Sequence, residues 1–215
     1  MGLNMIVGGW PWVADGDEEY AGHVRAQFAV IREALDRAGA GGWDEPALDE
    51  RDVLEFPMFG YWGLHNVRRV AIHLAEYGTV PDPLEEVSRA ADDPLVMQAY
   101  AQLQPARQFA HLLEHSDCEG YYVPVDFEQV IVDDRLEGLC LGSSVRLLAE
   151  TRRIASALGL PEDLDPDSEA VDAACQAKTP AAEGWQRYAI ESYGCLRLIR
   201  AAQHSIATGA AIAFC

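Results

Sequence analysis

Apolar residues recur along most of the chain at steps of three and four, the spacing that lines one face of an α-helix. Residues 17–38 carry Val24, Phe28, Ile31 and Leu35 in this way, with Gly39 placed as a C-cap. Residues 62–77 carry Leu64, Val67, Ala71 and Leu74 and end at Gly78. A short helix is expected over 84–90, and another begins at Pro94 with Leu95, Ala99 and Leu103. Pro105 interrupts it, and 106–115 continues with Phe109, Leu112 and Leu113 inward. A helix from Ser143 or Ser144 runs to Gly159 through Leu148, Ile154 and Leu158. Asp165-Pro166 reads as the cap of a helix reaching Cys175, and Thr179-Pro180 as the cap of the longest helix, 181–207.

The pattern changes at 121–127 and 130–132, where β-branched and aromatic residues predict strands. Pro124 argues that the first of these lies at a sheet edge. The short apolar runs 3–7 and 211–214 are expected to pair as edge strands near 121–123. No repeat and no long linker interrupts the chain, so 1–215 reads as a single domain. The expected fold is mainly α (α+β): a helical domain with a small minor β element.

Composition adds one strong constraint. Sixteen Lys and Arg stand against 35 Asp and Glu, a formal net charge of −19. A phosphate-backbone binder needs clustered cations, so nucleic acid is not expected as a partner. An anionic membrane is disfavoured for the same reason. The charge suits high solubility, a basic protein partner, or a surface that imitates nucleic acid. No apolar run approaches the roughly 18 residues of a membrane span, and the first residues do not read as a signal peptide. The five cysteines are odd in number and widely spaced without a C-x-x-C pair, which fits reduced thiols in a cytosolic protein.

Candidate chemistry concentrates in His111-Leu-Leu-Glu114-His115-Ser116-Asp117-Cys118-Glu119-Gly120. On a continuing helix, His111, Glu114, His115 and Cys118 would share one face, a donor set suited to zinc. The H-x-x-E-H spelling also matches one class of metalloprotease motif. Ser116, Asp117 and Glu119 would then be ligand-binding. The plainer account is a polar helix end closed by a turn at Gly120. Gly138-Leu-Cys140-Leu-Gly142 has the form of a nucleophile elbow with cysteine as nucleophile, although its leucines suggest a buried Cys140. Gly142-Ser143-Ser144 would offer an anion site or, more simply, a helix cap. The aromatic residues Trp10, Trp12, Trp43, Phe56, Phe59, Tyr61 and Trp62 crowd the first third of the chain. They would line a binding groove or, as favoured here, fill the core.

At Met1 to Leu3 and His115 to Gly120 the chain resembles a loose set of bacterial and phage proteins. These begin Met-Gly-Leu and carry a His-Ser-Asp-Cys-Asp/Glu-Gly string. The continuation Tyr121-Tyr122-Val123-Pro124 departs from them. The resemblance implies that His115, Ser116, Asp117 and Cys118 belong to a site, without naming its chemistry. The leading expectation is a non-catalytic, acidic, protein-binding module of immunity or antitoxin type, with a basic protein as partner. The alternatives are a metal-dependent or hydrolytic enzyme centred on His111 to Glu119, and a small-ligand binder using the aromatic N-terminal third.

Overall fold

Six short segments build one sheet, and its two faces collect different helices. The computed structural model describes residues 3–9, 18–177 and 179–214. The strands are β1 (Asn4–Val7), β2 (Leu54–Pro57), β3 (Tyr121–Val123), β4 (Ile131–Val132), β5 (Cys140–Ser143) and β6 (Ile212–Phe214). Their order is β2-β1-β6-β3-β5-β4, antiparallel throughout except for the parallel pair β3–β5. The α-helices are α1 (Glu18–Ala38), α2 (Gly60–Tyr77), α3 (Pro94–Tyr100), α4 (Ala110–Leu113), α5 (Ser144–Leu158), α6 (Glu169–Gln176) and α7 (Ala189–Thr208). Helix far exceeds strand, so the mainly α plus β class holds.

Successive strand residues point to opposite faces, and the core divides accordingly. Met5, Val7, Tyr122, Ile212 and Phe214 face α2, α5 and α7, packing with Leu64, Val67, Leu147, Ile154 and Leu198. Tyr121, Val123, Leu141 and Ala211 face the other way, onto Ile31 and Leu35 of α1. The result is three layers, α1 over the sheet and the remaining long helices beneath it.

The terminal runs do pair, with Met5 opposite Phe214 and Val7 opposite Ile212. They lie inside the sheet, however, because β2 extends it beyond β1. β3 is likewise interior. Pro124 is tolerated because the strand stops at Val123, so no ladder hydrogen bond needs its missing N–H. The segment expected as a helix over 106–115 shrinks to four residues, since Phe109 adopts φ 59° immediately before α4. The helix expected from 181 begins at Ala189, after a 3₁₀ turn at Trp185–Tyr188. A second 3₁₀ turn, Val87–Asp92, replaces the short helix expected at 84–90. Ser168, not Asp165, caps α6 by accepting the Val171 N–H.

Candidate functional site

Helix α4 is too short to hold itself together, and two charged side chains from other helices clamp it. Glu150 of α5 accepts the N–H groups of His111 at 3.2 Å and Leu112 at 2.8 Å. Arg68 of α2, buried, donates to the carbonyls of Leu112 at 2.9 Å and His115 at 2.5 Å. An acid at the N-terminus and a base at the C-terminus also suit the peptide dipoles. Burial pushes the Glu150 carboxyl up to about 7, against the lowering by the two N–H groups it accepts.

Both imidazoles serve this framework. His111 Nδ1 accepts the Ser143 N–H at 2.9 Å, so its Nε2–H donates to the Glu128 carbonyl at 3.2 Å. His115 Nδ1–H donates to the Ser116 carbonyl at 2.8 Å, and its ring stacks on Tyr122 with centroids 4.0 Å apart. Burial drives each down to about 4, so both are neutral near pH 7. The Tyr122 hydroxyl donates to the His111 carbonyl. Beyond His115 the chain turns back against residues 137–139. A Cβ on Gly120 would stand 2.9 Å from the Glu137 carbonyl oxygen, and one on Gly138 2.9 Å from that of Glu119. Both glycines also have positive φ, so this double contact is open to glycine alone.

The expected metal face is therefore not formed. The helix stops at Leu113, and the four candidate zinc ligands scatter. His111 already spends its lone pair on Ser143, and His115 is stacked in the core. Glu114 is ion-paired with Arg107, and Cys118 is exposed on the turn, 3.4 Å from the Ser116 hydroxyl. Among the described residues no group of three His, Cys, Asp or Glu is arranged to hold a metal ion. Of the expected ligand-binding residues, Ser116 accepts the Cys118 N–H, and Asp117 pairs with His65 Nε2 at 3.2 Å. Glu119 is exposed with its backbone against Gly138. Cys140 opens β5 with a buried thiol, pushed by that burial up to about 11, the opposite of an activated nucleophile. Ser143 simply caps α5, accepting the Arg146 N–H.

Sequence reasoning missed Arg68 and Glu150. The signal was a charged pair, Arg68-Arg69, in the middle of an otherwise apolar helical stripe.

What remains available to a partner is the surface, and its charge is unevenly spent. The arginines mostly neutralise carboxylates of the chain itself. Arg37 and Arg135 both hold the buried Asp133, whose carboxyl lies well below the usual range chiefly through its Arg135 hydrogen bonds. Arg69 holds Asp93 at 2.7 Å, Arg32 holds Asp44 at 2.6 Å and Arg187 holds Asp82 at 2.7 Å. Exposed Glu50, Glu55, Glu85, Glu86, Glu119, Glu128, Asp134, Glu162 and Asp163 form no ion pair among the described residues. The aromatic residues split in the same way. Trp43 and Phe56 are core, as expected, but Phe59, Tyr61 and Trp62 are exposed. Trp10 and Trp12 lie outside the described residues.

A family model described as "Putative DNA-mimic protein" matches residues 1–214, and the chain belongs to that family. No curated protein and no solved structure matches the chain. The family corrects the expectation that set nucleic acid aside: a DNA-mimic family implies binding to DNA-binding proteins, so nucleic acid enters as the ligand those proteins otherwise hold. The lack of clustered cations argued only against gripping a phosphate backbone, whereas a DNA mimic is defined by resemblance to nucleic acid itself. Among the described residues no helix is long and apolar enough to cross a membrane.

Proposed function

We propose that this member of the DNA-mimic family works by occupying the DNA-binding site of a basic protein. The observation that carries the reading is the surplus of exposed, unpaired carboxylates left after the arginines pair with acids of the same chain. Such groups present fixed negative charge without the counterion atmosphere of a duplex, and attract the same Lys- and Arg-lined cleft that phosphates attract. The family's character is binding rather than catalysis. An immunity-like role, silencing one particular DNA-binding protein, is the finer form of this proposal.

The test immobilises a panel of DNA-binding proteins and measures capture of the chain at increasing NaCl. Expected is submicromolar binding to at least one member, weakening steeply with salt and competed by duplex DNA. Binding that ignores salt, or that duplex DNA leaves unchanged, refutes the proposal.

A further inference from the structure

From the geometry around the start of α2 we infer that Phe59, Tyr61 and Trp62 form the centre of the partner-binding face. They would seat against apolar side chains of a basic DNA-binding cleft. The inference rests on the proposed function and adds where contact is made and what chemistry meets it.

Trp62 is 50% exposed, Phe59 41% and Tyr61 36%. Folding does not need them there. The stripe Leu64, Val67 and Ala71 already supplies the buried face of α2, and Trp62, two residues before Leu64, falls about 200° round the helix from it. The base of the patch is held still: Phe59 meets Tyr193 edge-on at 5.6 Å, and the Tyr193 hydroxyl donates to the Pro57 carbonyl at 3.0 Å. A rigid aromatic group loses little entropy on contact, which is why Trp and Tyr dominate binding hot spots.

Acidic segments flank the start of α2, beside Arg89 and Arg187, which are spent on Asp92 and Asp82. Glu55 stands just before it on the edge strand β2. The Asn66 side-chain amide donates to both the Trp62 carbonyl, at 2.8 Å, and the Val87 carbonyl, at 2.7 Å, which brings Glu85 and Glu86 alongside. One residue earlier, the His65 pair with Asp117 draws in the turn that carries Glu119. An apolar centre with a charged rim is the anatomy of a protein-binding surface. The rim also selects the occupant. A second copy would set carboxylates against carboxylates at a net −19 each, whereas a cleft that holds DNA offers cations for the rim. The apolar side chains of such a cleft, which otherwise meet thymine methyls or wedge between base steps, would take the aromatic centre.

The experiment uses immobilised DNA-binding proteins as probes, with the histone octamer among them. Five chains are compared: wild type, Trp62→Ala, Tyr61→Ala, the pair Glu85→Gln with Glu86→Gln, and the pair Glu33→Gln with Asp36→Asn. The last pair removes the same charge from the α1 side of the sheet. Trp62→Ala and Tyr61→Ala are expected to raise Kd at least tenfold with an unchanged salt slope. The Glu85/Glu86 pair should flatten the slope, and the Glu33/Asp36 pair should leave Kd within threefold. Circular dichroism and melting curves confirm that each variant folds. If wild type binds while folded Trp62→Ala and Tyr61→Ala bind within twofold of it, the inference fails and the proposed function stands. If wild type binds no probe, the proposed function fails and takes this site with it. A dimer in sedimentation that Trp62→Ala dissolves would overturn the assignment in favour of a second copy.

Discussion

Arg68 shows how one residue can fix a loop it is far from in sequence. Its guanidinium is buried, and its hydrogen bonds end on carbonyls at the C-terminal side of α4. Arg68→Met keeps the volume but leaves those carbonyls unpaired, and a loss of about 2–4 kcal/mol is expected in urea unfolding. An unchanged urea midpoint would show that the clamp holds nothing. Glu150, at the other end of α4, should reveal itself through pH. Its carboxyl is near 4.5 when unfolded and about 7 when folded. Between these values the unfolded chain has lost a proton that the folded chain keeps, so stability falls as pH rises through this window. His111 and His115 act in the opposite sense. Their folded values of about 4 lie below the unfolded 6.5, so the stability they contribute is complete above pH 6.5 and is lost as pH falls towards 4. Comparing Glu150→Gln with wild type cancels the histidines. The variant's melting temperature relative to wild type should be higher at pH 8 than at pH 5. The same difference at both pH values would mean that Glu150 ionises normally.

At the level of elements, α2 and α7 approach closely at Gly194. A Cβ on Gly194 would stand 2.9 Å from the Gly63 carbonyl oxygen and from Val67 Cγ2. Gly194→Ala must therefore push the helices apart, and a loss of about 1–3 kcal/mol is expected despite alanine's better helix propensity. A variant as stable as wild type in thermal unfolding would contradict this packing. Elements with strong local signals were legible in the sequence. α2 ends at the αL glycine Gly78, and α5 runs from the Ser143 cap to the αL glycine Gly159. The elements that escaped lacked local signals. β2 and β5 are four residues each, reading LEFP and CLGS without regular alternation, and exist because neighbouring strands complete them. α4 was overestimated because Phe109 takes a backbone conformation that no periodicity reveals. The candidate site suffered similarly. The segment 111–119 was legible as unusual, but its polar side chains bond partners 30 or more residues away, such as Ser143 and His65. Trp62 could have been placed outside the core from its angle to the α2 stripe alone.

Over the whole molecule, charge was the most legible property, and it governs folding and binding with opposite signs. Exposed ion pairs such as Arg25–Glu18 and Arg89–Asp92 each stabilise little, because water and salt screen them. The unpaired carboxylates repel one another across the whole surface, and that repulsion is destabilising. Salt screens both, with a Debye length of about 8 Å at 0.15 M, but repulsion is the larger quantity at a net charge of −19. Raising NaCl from about 20 mM to about 500 mM at pH 8 should therefore raise the melting temperature, by several degrees, while the same change weakens capture by a basic partner. A chain stabilised mainly by its ion pairs would melt earlier in high salt. Scanning calorimetry across that range separates the two, since a falling melting temperature would mean that the carboxylates are compensated within the fold and not held free for a partner.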